Sequence, residues 1–314
     1  MISILNHIEQ LKEVPVNFIQ WARQFLLPKV NMMDIFDKRG RILFSLAQQT
    51  FVKADLREID LRNADLKGAD LRYANLSYTD LSYAELEGAQ LEHALLVGTC
   101  LTHAKLDQAN LTEAILSDGK PFTGAILSQA SLHRAKLTHA DLRYTEFHQA
   151  DLSYAELNQA LLQDADLYEA NLKCASLEGA RLIGANLYAS DLRYAYLQNS
   201  HLNGANLVEA NLSEAFLNGD NHHQGAILTE ANLARAILTG AHLSYAVLQQ
   251  ANLFHADLRN ADLSHALLGG GHLRGANVAG ADFTGVELAA VIMDFANFSQ
   301  AKNADIPSYK RNIR

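Results

Sequence analysis

The sequence predicts a mainly β solenoid, wound as a four-sided coil with one side per five residues. Three observations carry that reading. From Leu56 to Leu116 a leucine returns at every fifth position, at 61, 66, 71, 76 and onward. Two residues before each leucine stands a small residue, nearly always alanine, and the residue between them is usually Asp, Asn or Glu. The exceptions at the alanine position, Ile59, Thr79 and Thr99, are spaced by twenty, which is four pentapeptides. Such a short fixed period sets the architecture before any local propensity does.

Write the leucine as position i and the alanine as i−2. An α-helix turns about 100° per residue, so i−2 and i would lie on opposite faces and could not share a core. A strand puts i−2 and i on one face, but five is odd, so the next pair would face the other way. A bend in every pentapeptide keeps all pairs pointing inward. Positions i−1, i+1 and i+2 then face water, and they hold Asp, Arg, Tyr, His, Gln, Gly and Ser. Successive coils would lie about 4.8 Å apart, the spacing of hydrogen-bonded strands. The twenty-residue spacing of Ile59, Thr79 and Thr99 stacks them on one side and makes the coil four-sided.

The stretch ADLREIDLRNADLKGADLRYANLSYTDL at 54–81 sets the pattern A(D/N)LXX. It resembles the pentapeptide-repeat family, a bacterial family abundant in cyanobacteria, and the resemblance runs from about Phe51 to about Phe298. It implies a right-handed quadrilateral β-helix, here of about twelve coils. Function is less constrained by it, because one fold serves many roles.

Taken in order, residues 1–50 do not repeat. Ile4, Leu5, Ile8 and Leu11 have helical spacing, which predicts a short helix over about 2–13, interrupted at Pro15. Phe18, Ile19, Ala22, Phe25 and Leu26 form a second apolar stripe beside Trp21, ending near Pro28. An Asp37-Lys38-Arg39-Gly40 turn follows, and Ile42–Leu46 is expected to lead into the first coil. A β-helix end exposes unpaired backbone and a slice of core, so 1–50 is expected to be an α-helical cap. The surplus of large apolar residues, Phe18, Trp21 and Phe25 above all, predicts a homodimer through these helices.

Residues 51–300 form the solenoid. Its register breaks twice, at SDGKPFTGAIL and at NGDNHHQGAIL, where the next leucine comes eleven residues on, at Leu127 and Leu228. Each break counts as two pentapeptides plus one residue, a one-residue bulge near 117–121 and near 218–224. Leu116 and Leu217 are 101 residues apart, so on this count both bulges fall on the same side, about 24 Å apart along the axis. AILSQASLHRAKLTHADLRY at 125 resembles AILTEANLARAILTGAHLSY at 226, which points to an internal duplication of that length. Late i positions become Val278, Phe283, Met293 and Phe298, a bulkier core that closes the bore. Residues 301–314 form a short tail over the last coil, whose open end is a second candidate for self-association.

Charge is uneven. Residues 1–50 carry six basic and four acidic side chains, 51–300 sixteen and thirty, and 301–314 four and one. A body of net −14 argues against binding nucleic acid or anionic membrane. No apolar run is long enough to span a bilayer, and the N-terminus lacks the features of a signal peptide. Cys100 and Cys174 occupy outward positions on different sides, so no disulfide is expected, and a cytoplasmic location is.

No Ser-His-Asp arrangement, phosphate loop or CxxC pair appears, and a bore filled with Leu and Ala leaves no substrate pocket. The sequence therefore predicts no enzyme, no cofactor and no metal. Asp220, His222 and His223 at the second break are read as a solvated loop, since adjacent histidines rarely chelate one ion. Arg and Tyr are enriched at protein interfaces. Arg57, Arg62, Arg72, Tyr73, Tyr78 and Tyr83 in the first coils, and Arg143, Tyr144, Arg193 and Tyr194 later, are the candidate contacts for a protein partner. The resemblance adds two ideas: a DNA-mimic-like binder of a topoisomerase, disfavoured by such short breaks, and a contact of a regulator in bacterial signalling. A non-enzymatic interaction scaffold is the function expected.

Overall fold

The computed structural model describes residues 32–310. Within them the chain climbs a four-walled parallel coil. Each wall is a ladder of single rungs twenty residues apart, such as Asp60, Asp80 and Cys100 on wall I and Asp65, Glu85 and Lys105 on wall II. Wall III carries Asp70, Gln90 and Asn110, and wall IV Asp55, Asn75 and Leu95. From Asp60 to Ile292 the chain passes wall I twelve times.

The residue at i−1 forms the rung, and the backbone on either side bonds both neighbouring coils. Asn75 N donates to Ala54 O below at 2.8 Å, and Leu76 N donates to Leu95 O above at 2.8 Å. The bend after each leucine is a tight turn, as in Ala64 N to Leu61 O at 3.0 Å. Its second central residue has positive φ, for example Glu58 at 59° and Tyr73 at 60°, which is the type II turn requirement. Glycine meets it freely and a tyrosine at a cost, so the ladder and the core must hold these corners. Asp or Asn at i−1 helps: Asp80 Oδ1 accepts from Ser82 N at 2.9 Å.

Inside, the i−2 and i side chains from Ala54 to Val291 are almost all fully buried. The twenty-residue exceptions do share wall I. Thr99 Oγ1 donates to Leu76 O at 2.8 Å, which satisfies a hydroxyl within an apolar bore. At the far end the bore widens into aromatics, with the Phe283 and Phe298 rings 5.4 Å apart. Met293 and Phe298 remain half-buried at the open edge. The tail closes one corner of it: Lys310 Nζ donates to Ala289 O and Val291 O, each at 2.6 Å.

Three expectations change. The predicted helices and the dimer residues Phe18, Trp21 and Phe25 lie outside the described residues. What is described of the expected α-helical cap is a β-hairpin, and among the described residues no α-helix occurs. β1, Met33–Asp37, pairs antiparallel with β2, Ile42–Leu46, so β2 doubles back before the coil begins. The alternation is that of a strand: Ile35 and Asp37 are buried and Phe36 between them is exposed. Asp37 Oδ1 accepts from Arg39 N and Arg41 N and locks the turn. β1 then adds to β3, Ala64–Asp65, and covers the first edge of wall II.

The breaks in register are the second change. Cys100 pairs with Ile126, and His201 with Ile227, so each coil containing a break is 26 residues long instead of twenty. Each break is therefore a six-residue insertion at one corner, closed by Ala125 N to Leu116 O and Ala226 N to Leu217 O, both 2.8 Å. A one-residue bulge would have added a side and broken the ladder. The third change follows. The first insertion lies between walls IV and I, the second between walls III and IV, on adjacent corners. Removing six residues from 101 leaves nineteen pentapeptides, one short of five full turns.

Candidate protein-interaction surface

The ten candidate Arg and Tyr residues are spread over all four corners. Arg62 and Tyr83 sit between walls I and II, Arg193 and Tyr194 between II and III, and Arg72 and Tyr73 between III and IV. Arg57, Tyr78, Arg143 and Tyr144 share the corner between IV and I. The reason is the repeat itself: an i+1 or i+2 residue recurs on a given corner only every fourth pentapeptide.

Each of the five arginines folds back on the aspartate of its own pentapeptide. Arg57–Asp55 and Arg72–Asp70 are 2.7 Å ion pairs, Arg62–Asp60 and Arg143–Asp141 2.6 Å, and Arg193–Asp191 2.5 Å. The guanidinium hydrogen bonds hold the Asp55, Asp60 and Asp70 carboxyls below the usual range. These arginines are laid flat and partly neutralised, so they are weaker anchors than their number suggests. Tyr73 and Tyr83 stack on His93 and His103 of the next coil, at 4.8 and 4.7 Å, and so serve their own corners.

The corner between IV and I differs. It carries the first insertion, within a corner loop of residues 117–124 that has eight residues where a regular corner has two. Asp118 organises it, accepting from Lys120 N at 3.0 Å, Lys120 Nζ at 2.9 Å and Thr123 Oγ1 at 2.5 Å. The Thr123 hydroxyl, then the Lys120 ammonium, hold the Asp118 carboxyl down to about 2. Two glycine-mediated contacts lie at this corner, one in the coil before the insertion and one in the insertion itself. The Tyr78 ring lies over Gly98, where an added Cβ would meet it at 2.6 Å. The Arg143 guanidinium lies over Gly119, where a Cβ would meet it at 2.7 Å. At the tip Phe122 is fully exposed. The repeat positions do not point to it; its signal in the sequence is that a phenylalanine in an insertion has no inward position to occupy.

The corner loop that holds the second insertion, residues 218–225, is closed by Asp220 Oδ1, which accepts from His222 N at 2.7 Å and His223 N at 2.8 Å. It roofs an open cleft of about 380 Å³ with Glu178 and Tyr196 on its floor. His223 turns its ring to Asp220 at 3.1 Å. Among the described residues no group of three His, Cys, Asp or Glu is placed to hold a metal ion. Cys100, on wall I, and Cys174, between walls II and III, are both free.

Against known proteins, the family model "Pentapeptide repeats" matches eight stretches, 50–82, 84–118, 122–153, 150–187, 190–219, 224–254, 231–270 and 272–302. The chain is a pentapeptide-repeat protein. The coil is accordingly the right-handed β-helix of that family, a repeat scaffold fold. Among solved structures it is similar to HetL of the cyanobacterium Nostoc sp. strain PCC 7120, a pentapeptide-repeat protein involved in heterocyst differentiation regulation. Identity is 32% over 80% of this chain and 90% of HetL, with a TM-score of 0.32. It is also similar to full-length QnrB1, a plasmid-mediated fluoroquinolone resistance protein, at 19% identity over 65% and 92%, TM-score 0.23. Rfr23 of the cyanobacterium Cyanothece 51142 matches at 28% over 40% and 63%, TM-score 0.14. No curated protein sequence gives a significant match. In this pentapeptide-repeat protein, no helix among the described residues is long and apolar enough to cross a membrane.

Proposed function

We propose that this pentapeptide-repeat protein is a non-enzymatic scaffold that offers the flat walls and corners of a rigid acidic β-helix to a protein partner in the bacterial cytoplasm. The observation that supports it is the filled bore. From Leu56 to Leu288 the leucine-position side chains are at most 2% exposed, so chemistry has no interior to occupy and recognition falls to the outer surface. Regulation is the setting that the likeness to HetL favours. The test is affinity capture from native lysate with wild-type protein and with two variant sets, one at the Arg/Tyr corners and one in the insertions. A partner retained by wild type and lost by one set supports the reading. Failure to retain any protein counts against it.

A second reading, a DNA-mimic-like binder of a topoisomerase, gains from the structure's longer insertions. The body carries net −14, and each insertion is six residues long. A gyrase supercoiling assay with and without the protein decides it; unchanged supercoiling at saturating protein removes it. Dimerisation through Phe18, Trp21 and Phe25 is proposed separately. Light scattering of full-length and Δ1–31 protein tests it, since Δ1–31 keeps the hairpin that covers wall II.

A further inference from the structure

We infer that the first insertion is a docking element whose anchor, Phe122, enters an apolar pocket set in a basic surface of a folded partner protein. This rests on the scaffold reading and names its site. Phe122 is 100% exposed, and the next most exposed large apolar side chain among the described residues, Tyr309, is 67%. No repeat position demands a phenylalanine there, and the ring gives nothing to this chain's own core.

The backbone that carries the ring is also held ready. Phe122 sits at φ 65°, a left-handed conformation that aromatic residues adopt rarely. Asp118 ties Lys120 and Thr123 on either side of it, and Thr123 Oγ1 also donates to Lys120 O at 2.8 Å. The Arg143 guanidinium packs over Gly119 from the coil after the loop, and Gly98 N donates to Thr123 O at 3.0 Å from the coil before it. A loop backbone fixed in advance loses little conformational entropy on binding, which is how preorganised contacts gain affinity.

The surroundings have the anatomy of an interface. Beside the insertion wall IV carries Leu95 and Ile115 on adjacent rungs, and Tyr78 is 57% exposed. Around them lie the ion pairs Arg57–Asp55, Lys120–Asp118 and Arg143–Asp141. An apolar centre within a charged rim, with an aromatic anchor, is what protein interfaces show. The body's net −14 selects the partner's sign: it opposes a second copy and an anionic lipid surface and favours a basic protein.

The test places the photo-crosslinker p-benzoylphenylalanine at position 122 of the full chain, and at Gln108 on the diagonally opposite corner as control. Irradiation in native extract is expected to give one adduct unique to position 122. The protein in that adduct is then purified and titrated. Phe122→Ala should weaken its binding at least 30-fold, Phe122→Leu less than 5-fold and Gln108→Ala not at all, with unchanged thermal melts. Sedimentation with phosphatidylglycerol vesicles, and equilibrium sedimentation of the protein alone, should be the same for wild type and Phe122→Ala. Adducts from 108 without any from 122, or full-strength binding by Phe122→Ala, overturn this inference and leave the scaffold reading standing. Adducts from neither position also overturn this inference, and the lysate capture then decides the scaffold reading. A Phe122-dependent association with vesicles or with itself overturns the partner class.

Discussion

Replacing Leu172 by alanine tests whether the stacked leucines stabilise the coil rather than merely fill it. Leu172 is fully buried on wall II between Leu152 and Leu192. Losing about three methylene equivalents costs about 2.4 kcal/mol in transfer free energy. The cavity adds to this, because the neighbours cannot close in. Leu152 N to Asn171 O and Leu172 N to Asp191 O, both 2.7 Å, pin the coils at their ladder spacing. A total of about 3–4 kcal/mol is expected, a several-hundred-fold rise in local opening. Met293→Ala at the half-buried last coil should cost about 1 kcal/mol, since one side of it has no coil above. Amide hydrogen exchange resolved by coil, with guanidinium unfolding as a global check, measures both. Exchange in 150–192 should accelerate for Leu172→Ala and stay near wild type for Met293→Ala. A cost below 1 kcal/mol for Leu172→Ala, or equal costs at the two sites, would refute the reasoning.

Three further outcomes are expected. Glu85, 13% exposed, is held down to about 2 chiefly by Lys67, then by Lys105 and by Lys38 of the hairpin. Its folded value lies below its ordinary 4.5, so its contribution is present above about pH 4.5 and is lost as pH falls toward 2. Half-exposed lysines limit it to about 1–2 kcal/mol; Glu85→Gln should remove that pH dependence and speed exchange in Met33–Leu46. Asp118→Asn should loosen the first insertion without unfolding the coil, read as faster chymotryptic cleavage after Phe122 and unchanged melting. Thr145 Oγ1 is buried without a hydrogen-bond partner, whereas Thr99 Oγ1 has Leu76 O. Thr145→Val should therefore stabilise by about 1 kcal/mol and Thr99→Val destabilise by about as much, in matched denaturant melts.

The coil was legible in the sequence because every pentapeptide repeats one physical demand: two inward side chains and one bend. Even the number of walls could be read, from Ile59, Thr79 and Thr99. The hairpin was not legible. Five-residue strands carry a short alternation, and Met33, Ile35 and Phe44 have no repeat to place them. The insertions were miscounted for a related reason. A gap of eleven can be two sides plus one residue or one side plus six, and only the pairing of Cys100 with Ile126 decides. The ten candidate Arg and Tyr residues were found by type, but type does not say which corner each one occupies.

Corner assignment follows from arithmetic once the insertions are counted correctly. A corner loop of any length leaves the ladder in step, so a residue's wall depends only on the number of pentapeptides before it, modulo four. Nineteen pentapeptides separate the two insertions, so the duplicated segments at 125 and 226 present the same side chains to different directions. The corner of the first insertion carries Tyr78 and Arg143 beside the apolar rungs Leu95 and Ile115, while the second insertion lies over Glu178 and Tyr196. Two copies of one sequence unit have thus become two chemically distinct corners. A partner that recognises the Phe122 corner has no equivalent site one duplication further on, because His222 and His223 stand where Pro121 and Phe122 would recur. Recognition of this rod is accordingly local to one corner, and a single substitution there suffices to test it.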